Sequence, residues 1–172
     1  MNNENNERLI DFLEQSFLAP LIKEAAITDI SYNGRSIYYQ HNDYGRGKSE
    51  IVIKSQEVHD FLRQIANLGE KQFSYSEPLL DMSFGRYRLN AVHYALGRVN
   101  DCKTPTFSLR IGSYETRIAA DDSFMPMLAG EILDILIRNH QSLVIGGITG
   151  TGKTELQKYL LSRIGKHERV VV

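Results

Sequence analysis

The chain is short of several things, and each shortage excludes something. Its single cysteine, Cys102, leaves no partner for an internal disulfide. A lone thiol suits a reducing compartment. There is no tryptophan, 4 prolines and 13 glycines, too little Gly and Pro for a collagen-like or low-complexity chain. No run of about 18 consecutive apolar residues exists to carry a helix across a bilayer. Neither charge dominates: 20 Lys and Arg face 21 Asp and Glu, a formal net charge of −1. That excludes a general polyanion binder held by bulk charge and leaves only local basic patches. Met1 to Arg8 is polar and Asn-rich, without the apolar core of a secretory signal. No segment repeats at a fixed period, which excludes a solenoid. The expectation is a soluble, cytoplasmic protein. Its 172 residues allow one domain or two small ones, and 42% apolar content is enough to bury a core.

The pattern along the chain falls into two parts. Residues 8–24 read as an amphipathic helix, with Leu9, Ile10, Phe12, Leu13, Phe17 and Leu18 at helical spacing and Pro20 interrupting late. Thr28–Tyr32 and Ser36–Gln40 are rich in β-formers and flank Asn33-Gly34, a strong hairpin signal. Residues 50–54 read as a further short strand. Ser55 is expected to cap a helix running to Leu68, with Val58, Phe61, Leu62, Ile65 and Leu68 on one face and His59 and Arg63 off it; Gly69 is its natural stop. Residues 79–84 and 86–94 pair as strands about Phe84-Gly85, and 106–110 makes one more. Residues 1–111 are therefore expected to form an α+β domain with an antiparallel sheet.

Periodicity stops over the Gly-, Ser-, Thr- and Asp-rich stretch 112–122, which reads as a linker. Residues 123–172 then read as the start of a parallel α/β unit. A helix begins near Ser123 and Pro126 and runs to Asn139, with Met127, Leu128, Ile132, Leu133, Ile135 and Leu136 turned inward. Ser142–Ile145 fits a strand buried on both faces. A glycine-rich turn, a helix over 153–164 and a strand at 169–172 complete it.

The turn carries the chemistry. Gly147-Ile148-Thr149-Gly150-Thr151-Gly152-Lys153-Thr154 fits G-x-x-x-x-G-K-[ST], the P-loop pattern. Its glycines let the backbone turn tightly enough for several N–H groups to converge on one spot. Those donors and the positive end of the following helix make an anion cradle. Lys153 adds a full charge toward the β- and γ-phosphates, and the Thr154 hydroxyl is a hard oxygen ligand suited to Mg²⁺. A chance match would be a glycine-rich turn with an exposed lysine. Here, however, the loop follows an apolar run and opens a helical one, the arrangement that supports a phosphate site.

Other constellations carry less. His41, His59, His93, His140 and His167 show no metal-ligand spacing with one another or with Cys102. Arg86-Tyr87-Arg88 with Tyr94 and Arg98 interleaves basic and aromatic residues, but without a basic excess it reads as a solvated strand face, and no direct nucleic-acid binding is expected.

Five segments, in order, resemble the traffic ATPases, the hexameric motors of type II and type IV secretion systems and of type IV and Tad (Flp) pili. Thr28–Gly34 is similar to the family's T-[DE]-I-x-x-N-G signature, and Gly85–Ala91 to its arginine-bearing stretch after a glycine turn. Phe107–Arg110 resembles its S-I-R motif with Leu109 for Ile, the P-loop resembles G-x-T-G-[ST]-G-K-[ST], and His167–Val172 resembles the strand leading to its acidic box. The resemblance implies a PAS-like N-terminal domain joined to a RecA-like ATPase domain, a homo-hexamer on an inner-membrane platform, and MgATP hydrolysis that moves protein, pilin or DNA. It implies phosphate contacts from Gly147, Thr149, Gly150, Thr151, Gly152, Lys153, Thr154 and Glu155, Mg²⁺ at Thr154, and arginines that reach the nucleotide from the first domain. By motif match those are Arg110 and Arg88, with Arg86 competing for the latter alignment; a surface salt bridge is the plain alternative for each. Two residues depart from the pattern: Ile148 replaces a small residue or Pro, and Glu155 a second Thr or Ser, which puts a carboxylate beside the phosphates. The acidic box, the Walker B acid and the histidine box have no counterpart after Val172, so the chain reads as the front part of a longer motor. Rival readings are another P-loop enzyme, such as a small kinase, and a docking module with a vestigial nucleotide site.

Overall fold

A three-stranded meander, a hairpin and one late strand build the main sheet of the first unit. In the computed structural model, residues 3–113, 124–148, 151–165 and 167–169 are described. The chain divides into two units, Met1–Ser113 and Tyr114–Val172. The first contains helices α1 (Asn3–Glu14), α2 (Ala19–Ile22) and α3 (Ser55–Leu68). Its strands are β1 (Ile27–Tyr32), β2 (Ile37–His41), β3 (Gly45–Lys48), β4 (Leu79–Phe84), β5 (Tyr87–Val92), β6 (Arg98–Val99), β7 (Cys102–Lys103) and β8 (Thr106–Ile111). Six of them form an antiparallel sheet in the order β3-β2-β1-β8-β5-β4. This is the α+β architecture that the alternating pattern predicts.

Alternation also decides which face is covered. Ile30 and Tyr32 of β1, Leu80, Met82 and Phe84 of β4, Tyr87, Leu89 and Ala91 of β5, and Phe107, Leu109 and Ile111 of β8 are buried. They form one core with Leu9 and Leu13 of α1 and Val58, Phe61, Leu62 and Ile65 of α3. Each fully buried aliphatic side chain contributes about 1.5–3 kcal/mol by leaving water.

The turns follow local chemistry. Gly34 has φ +92°, and the Asn33 side-chain oxygen accepts the N–H groups of Arg35 and Ser36, both at 3.0 Å. A Cβ at Gly34 would collide with Thr104, whose hydroxyl lies 3.2 Å from the Gly34 carbonyl and 2.9 Å from Ser55 Oγ. The β6–β7 hairpin, which the pattern did not reveal, turns on Asn100 and Asp101, with φ +49° and +64°. Both central residues in the left-handed region are what a type I′ turn demands.

Several expectations are corrected. The N-terminal helix begins at Asn3 and breaks after Glu14, so residues 8–24 are not one helix. Pro20 has no N–H and its ring would clash with the carbonyl four residues back, so the chain breaks and α2 starts anew with that proline in its first turn. Residues 50–54 form no strand. The edge position beside β2 is taken by β3, and Ile51 and Ile53 pack on the core without a ladder. Lys54, not Ser55, is the N-cap of α3, with Glu57 accepting the Lys54 N–H at 2.9 Å. Gly69 does end α3, but the left-handed residue is Glu70, φ +56°. Lys71 N–H then donates to the Ala66 carbonyl at 2.8 Å and Glu70 N–H to that of Asn67 at 3.1 Å, closing a Schellman cap. His59, expected off the apolar face of α3, is buried.

The second unit contains α4 (Met127–Arg138) and α5 (Lys153–Ser162). Ser142–Ile145 forms no strand among the described residues, and Val144 is 98% exposed. A parallel strand exists only through its neighbours' hydrogen bonds, and the other strand expected here falls mostly on residues outside those described. For the same reason no residue of α4 is buried: Met127, Leu128, Ile132 and Ile135 are exposed rather than packed inward. Arg163 ties the helices, with Nε 3.7 Å from Asp134 Oδ1. The linker expected at 112–122 lies mainly outside the described residues.

Where β5 meets α1, the buried Tyr87 hydroxyl donates to Glu14 Oε1 at 2.5 Å and accepts from Arg86 Nε at 3.2 Å. Burial first, then the bond to the Glu14 carboxylate, pushes the phenol up from 10.0 to about 12. The fold therefore favours the protonated phenol. Its stabilisation is complete below pH 10 and is lost as pH rises toward about 12. Denaturant unfolding across that range should show this decline. Tyr87→Phe should flatten it and cost about 1 kcal/mol at neutral pH.

Candidate phosphate site and the open sheet face

Of the motif residues, Gly152 and Lys153 form the start of α5. Gly152 is the N-cap with φ +81°, a left-handed conformation that a side chain resists, and Lys153 is the first helical residue. A Cβ on Gly152 would sit 3.0 Å from the Phe124 ring, and one on Gly147 2.8 Å from Thr151 Oγ1. The left-handed φ favours glycine at Gly152, and a side chain at either position would make Phe124 or Thr151 shift. The turn delivers the chain into a helix whose first N–H groups have no partner within it. Thr149 and Gly150 lie outside the described residues.

Two side chains brace the loop from within. Thr151 Oγ1 donates to the Ile148 carbonyl at 2.8 Å, and Lys153 Nζ donates to that same carbonyl at 2.6 Å. The ammonium is therefore held against the loop itself, within the turn that would receive a phosphate. Thr154 is exposed, one residue further on, with its hydroxyl available as a hard oxygen ligand. The two departures from the motif acquire a physical account. Ile148 is 80% exposed and takes no packing role. Glu155 accepts from Lys158 Nζ at 2.9 Å, one turn along α5, so its charge is countered by a cation of its own helix.

The first unit presents the arginines. β5, β8 and β1 place Arg88, Arg110 and Asp29 in one cross-strand row on the face away from the helices. The row continues to Gln40 and Arg46 across β2 and β3, and to Ser83 across β4. Arg88 and Arg110 are direct partners, a like-charge pairing that costs a few tenths of a kcal/mol or more. Arg88 Nη2 donates to Asp81 Oδ2 at 3.4 Å, with both side chains about 60% exposed, so this bridge contributes little. The Arg110 side chain makes no hydrogen bond or ion pair among the described residues. Arg86 stands elsewhere: it lies on the β4–β5 turn against Tyr87, 4.0 Å from Glu14. Arg86 and Arg88 therefore stand in different surroundings. Only Arg88 shares a face with Arg110.

Sequence reasoning missed one polar pair. His59 Nε2 and His93 Nε2 meet at 3.1 Å in a buried contact between α3 and the end of β5. The signal was present, because His59, Leu62 and Ala66 recur at i, i+3 and i+7. Among the described residues no group of three or more His, Cys, Asp or Glu side chains converges on a metal position.

With this geometry established, comparison with known proteins adds the fold. The chain matches the VirB11 ATPase of the Brucella suis type IV secretion system with a TM-score of 0.51 and 19% identity, over 96% of this chain and 56% of that one. Its α+β unit with the antiparallel sheet therefore shares the fold of the N-terminal part of that ATPase. Legionella pneumophila ATPase DotB aligns at a TM-score of 0.46 and 19% identity, over 84% of this chain and 39% of that one. In sequence, an uncharacterized protein of Bacillus anthracis is 32% identical over 147 residues, 83% of this chain. The chain spans 32% of that relative's length. No family model matches. No helix among the described residues is long and apolar enough to cross a membrane.

Gly152 offers the direct check on the loop. Gly152→Ala forces a side chain into φ +81° against Phe124 and should cost about 1 kcal/mol or more. The expected signature is faster hydrogen exchange at the Leu156 amide, which donates to the Gly152 carbonyl at 2.9 Å, with the amides of β8 unchanged.

Proposed function

We propose that this chain is an ATP-binding module of a secretion-type traffic ATPase, its first unit PAS-like and its second the beginning of a RecA-like P-loop domain. One observation carries the reading. The Gly147–Thr154 loop closes on a left-handed Gly152 and opens α5 with Lys153 at its first turn. A loop of that spacing at a helix start supports the reading, because backbone donors, a helix dipole and an ammonium together suit a polyphosphate. The α+β fold shared with the VirB11 ATPase supports the assignment.

In this reading the amides of 147–154 cradle the phosphates, and Lys153 exchanges its contact with the Ile148 carbonyl for phosphate oxygen. Thr154 supplies one oxygen to Mg²⁺, the others coming from phosphate and water. Arg110, whose side chain has no bond to break, and Arg88, held only by an exposed bridge, are the guanidinium candidates for a phosphate contact. An anion also relieves their mutual repulsion. The intact protein would assemble as a hexamer at the cytoplasmic face of a membrane platform and move protein, pilin or DNA. Hydrolysis further requires a carboxylate that orients the attacking water, so turnover by this chain alone should be very slow.

Calorimetric titration of MgATP and MgADP into the chain tests the site. Micromolar binding is expected, abolished by Lys153→Ala and weakened about tenfold by Arg110→Ala, the loss of one charge-assisted contact. No binding at millimolar nucleotide, or equal binding by Lys153→Ala, would move the chain to a docking role.

A further inference from the structure

The buried histidine pair of the first unit borders a cavity of about 310 Å³ between α3, the chain before β4 and the residues after β5. Its polar lining comes from His59, Arg63 and Asn67 on successive turns of α3, from Gln72, and from His93 with Tyr94.

The hydrogen bonds fix where the protons are. His93 Nδ1 accepts the Ala95 N–H at 3.1 Å, so His93 carries its proton on Nε2. That proton is donated to His59 Nε2, 3.1 Å away. His59 is then protonated on Nδ1, a buried atom with no hydrogen-bond partner, 3.6 Å from Asp60 Oδ1. An added proton has two places to go, and each breaks a bond. On His59 Nε2 it sets two N–H groups against each other; on His93 Nδ1 it evicts the Ala95 amide. Burial, with His59 and then Arg63 nearby, holds the His93 pKa below its ordinary value. The charged and titratable groups around the pair are Asp60 and Arg63 from α3 and the Tyr94 phenol beside both rings, with Lys103 over the Tyr75 ring at 5.9 Å.

Arg63 is a permanent cation exposed at this cavity, and neutral amide and hydroxyl donors stand round it. We propose that the cavity binds a small oxyanion, the sulfate, phosphate or carboxylate group of a soluble ligand, and that binding draws one proton onto the His59–His93 pair. The anion supplies the opposite charge that the pair lacks. Protonation turns a ring nitrogen from acceptor to donor, and the anion accepts what the broken bond releases. Ligand binding and proton uptake thus favour each other.

Sulfate is the probe, because it does not titrate between pH 5 and 8. The full chain carrying Lys153→Ala keeps the P-loop from contributing, so failure here is separable from failure of the nucleotide reading. Sulfate titrations followed by the His59 and His93 ring proton resonances should show saturable shifts. Affinity should rise toward about tenfold per pH unit below neutrality, the limit for one linked proton. Calorimetry in two buffers of different ionisation enthalpy should register that uptake. Arg63→Gln should remove binding, and the double variant His59→Gln/His93→Gln should leave weaker binding with no pH dependence. Acetate tests whether a planar carboxylate serves as well; binding of either probe with proton uptake supports the site. No shift at either histidine with tens of millimolar sulfate or acetate, pH-independent binding by the unchanged pair, or full binding by Arg63→Gln would overturn it.

Discussion

The register of β8 is the constraint on which the first unit depends. Two hairpin-built halves, β1–β2–β3 and β4–β5, share no direct ladder, and β8 joins them by pairing with β1 on one side and β5 on the other. Its six residues follow the rest of the unit in sequence, so the core closes only when the last strand arrives. Leu109 then sits between Ile30 and Leu89, all three essentially inaccessible to water. A slip of one residue would exchange the two faces of β8, bringing Ser108 and Arg110 under α3 and pushing Phe107 and Leu109 into solvent. The cost of burying a guanidinium excludes that alternative. The same register that closes the core therefore sets Arg110 beside Arg88 on the open face.

Charges are handled by position. Several buried polar groups of the unit are paired: Tyr87 with Glu14 and Arg86, His59 Nε2 with His93, and Thr104 with Gly34 and Ser55. On the open sheet face it tolerates two adjacent arginines, because water screens them and Asp29 and Asp81 stand nearby. A like-charged pair that contributes nothing to the core has no structural justification at that point. It gains one if an anion is the intended partner.

The second unit follows a different logic. Its turn into α5 is held by short-range interactions among the described residues: a left-handed glycine, a threonine and a lysine bonded to one carbonyl, and a helix that starts at once. Such geometry needs no sheet to specify it. The apolar stripe of α4 is the opposite case, since a helix acquires a buried face only from what packs on it.

Much of this was legible from residue order. Apolar alternation located the central strands and α3, Asn33-Gly34 and Phe84-Gly85 marked their hairpins, and the glycine-lysine spacing marked the turn into α5. These features are local, so sequence alone determined them: a turn needing positive φ or a strand with one wet face is written into adjacent residues. Tertiary structure decided the rest. It gave the edge of the sheet to Gly45–Lys48 rather than to the better β-formers at 50–54, because a strand is made by its partner. It drew His59 inward to meet His93, 34 positions away, and put Arg88 rather than Arg86 beside Arg110. Those outcomes depend on which distant segments share a register, and no periodicity within one segment encodes its neighbour.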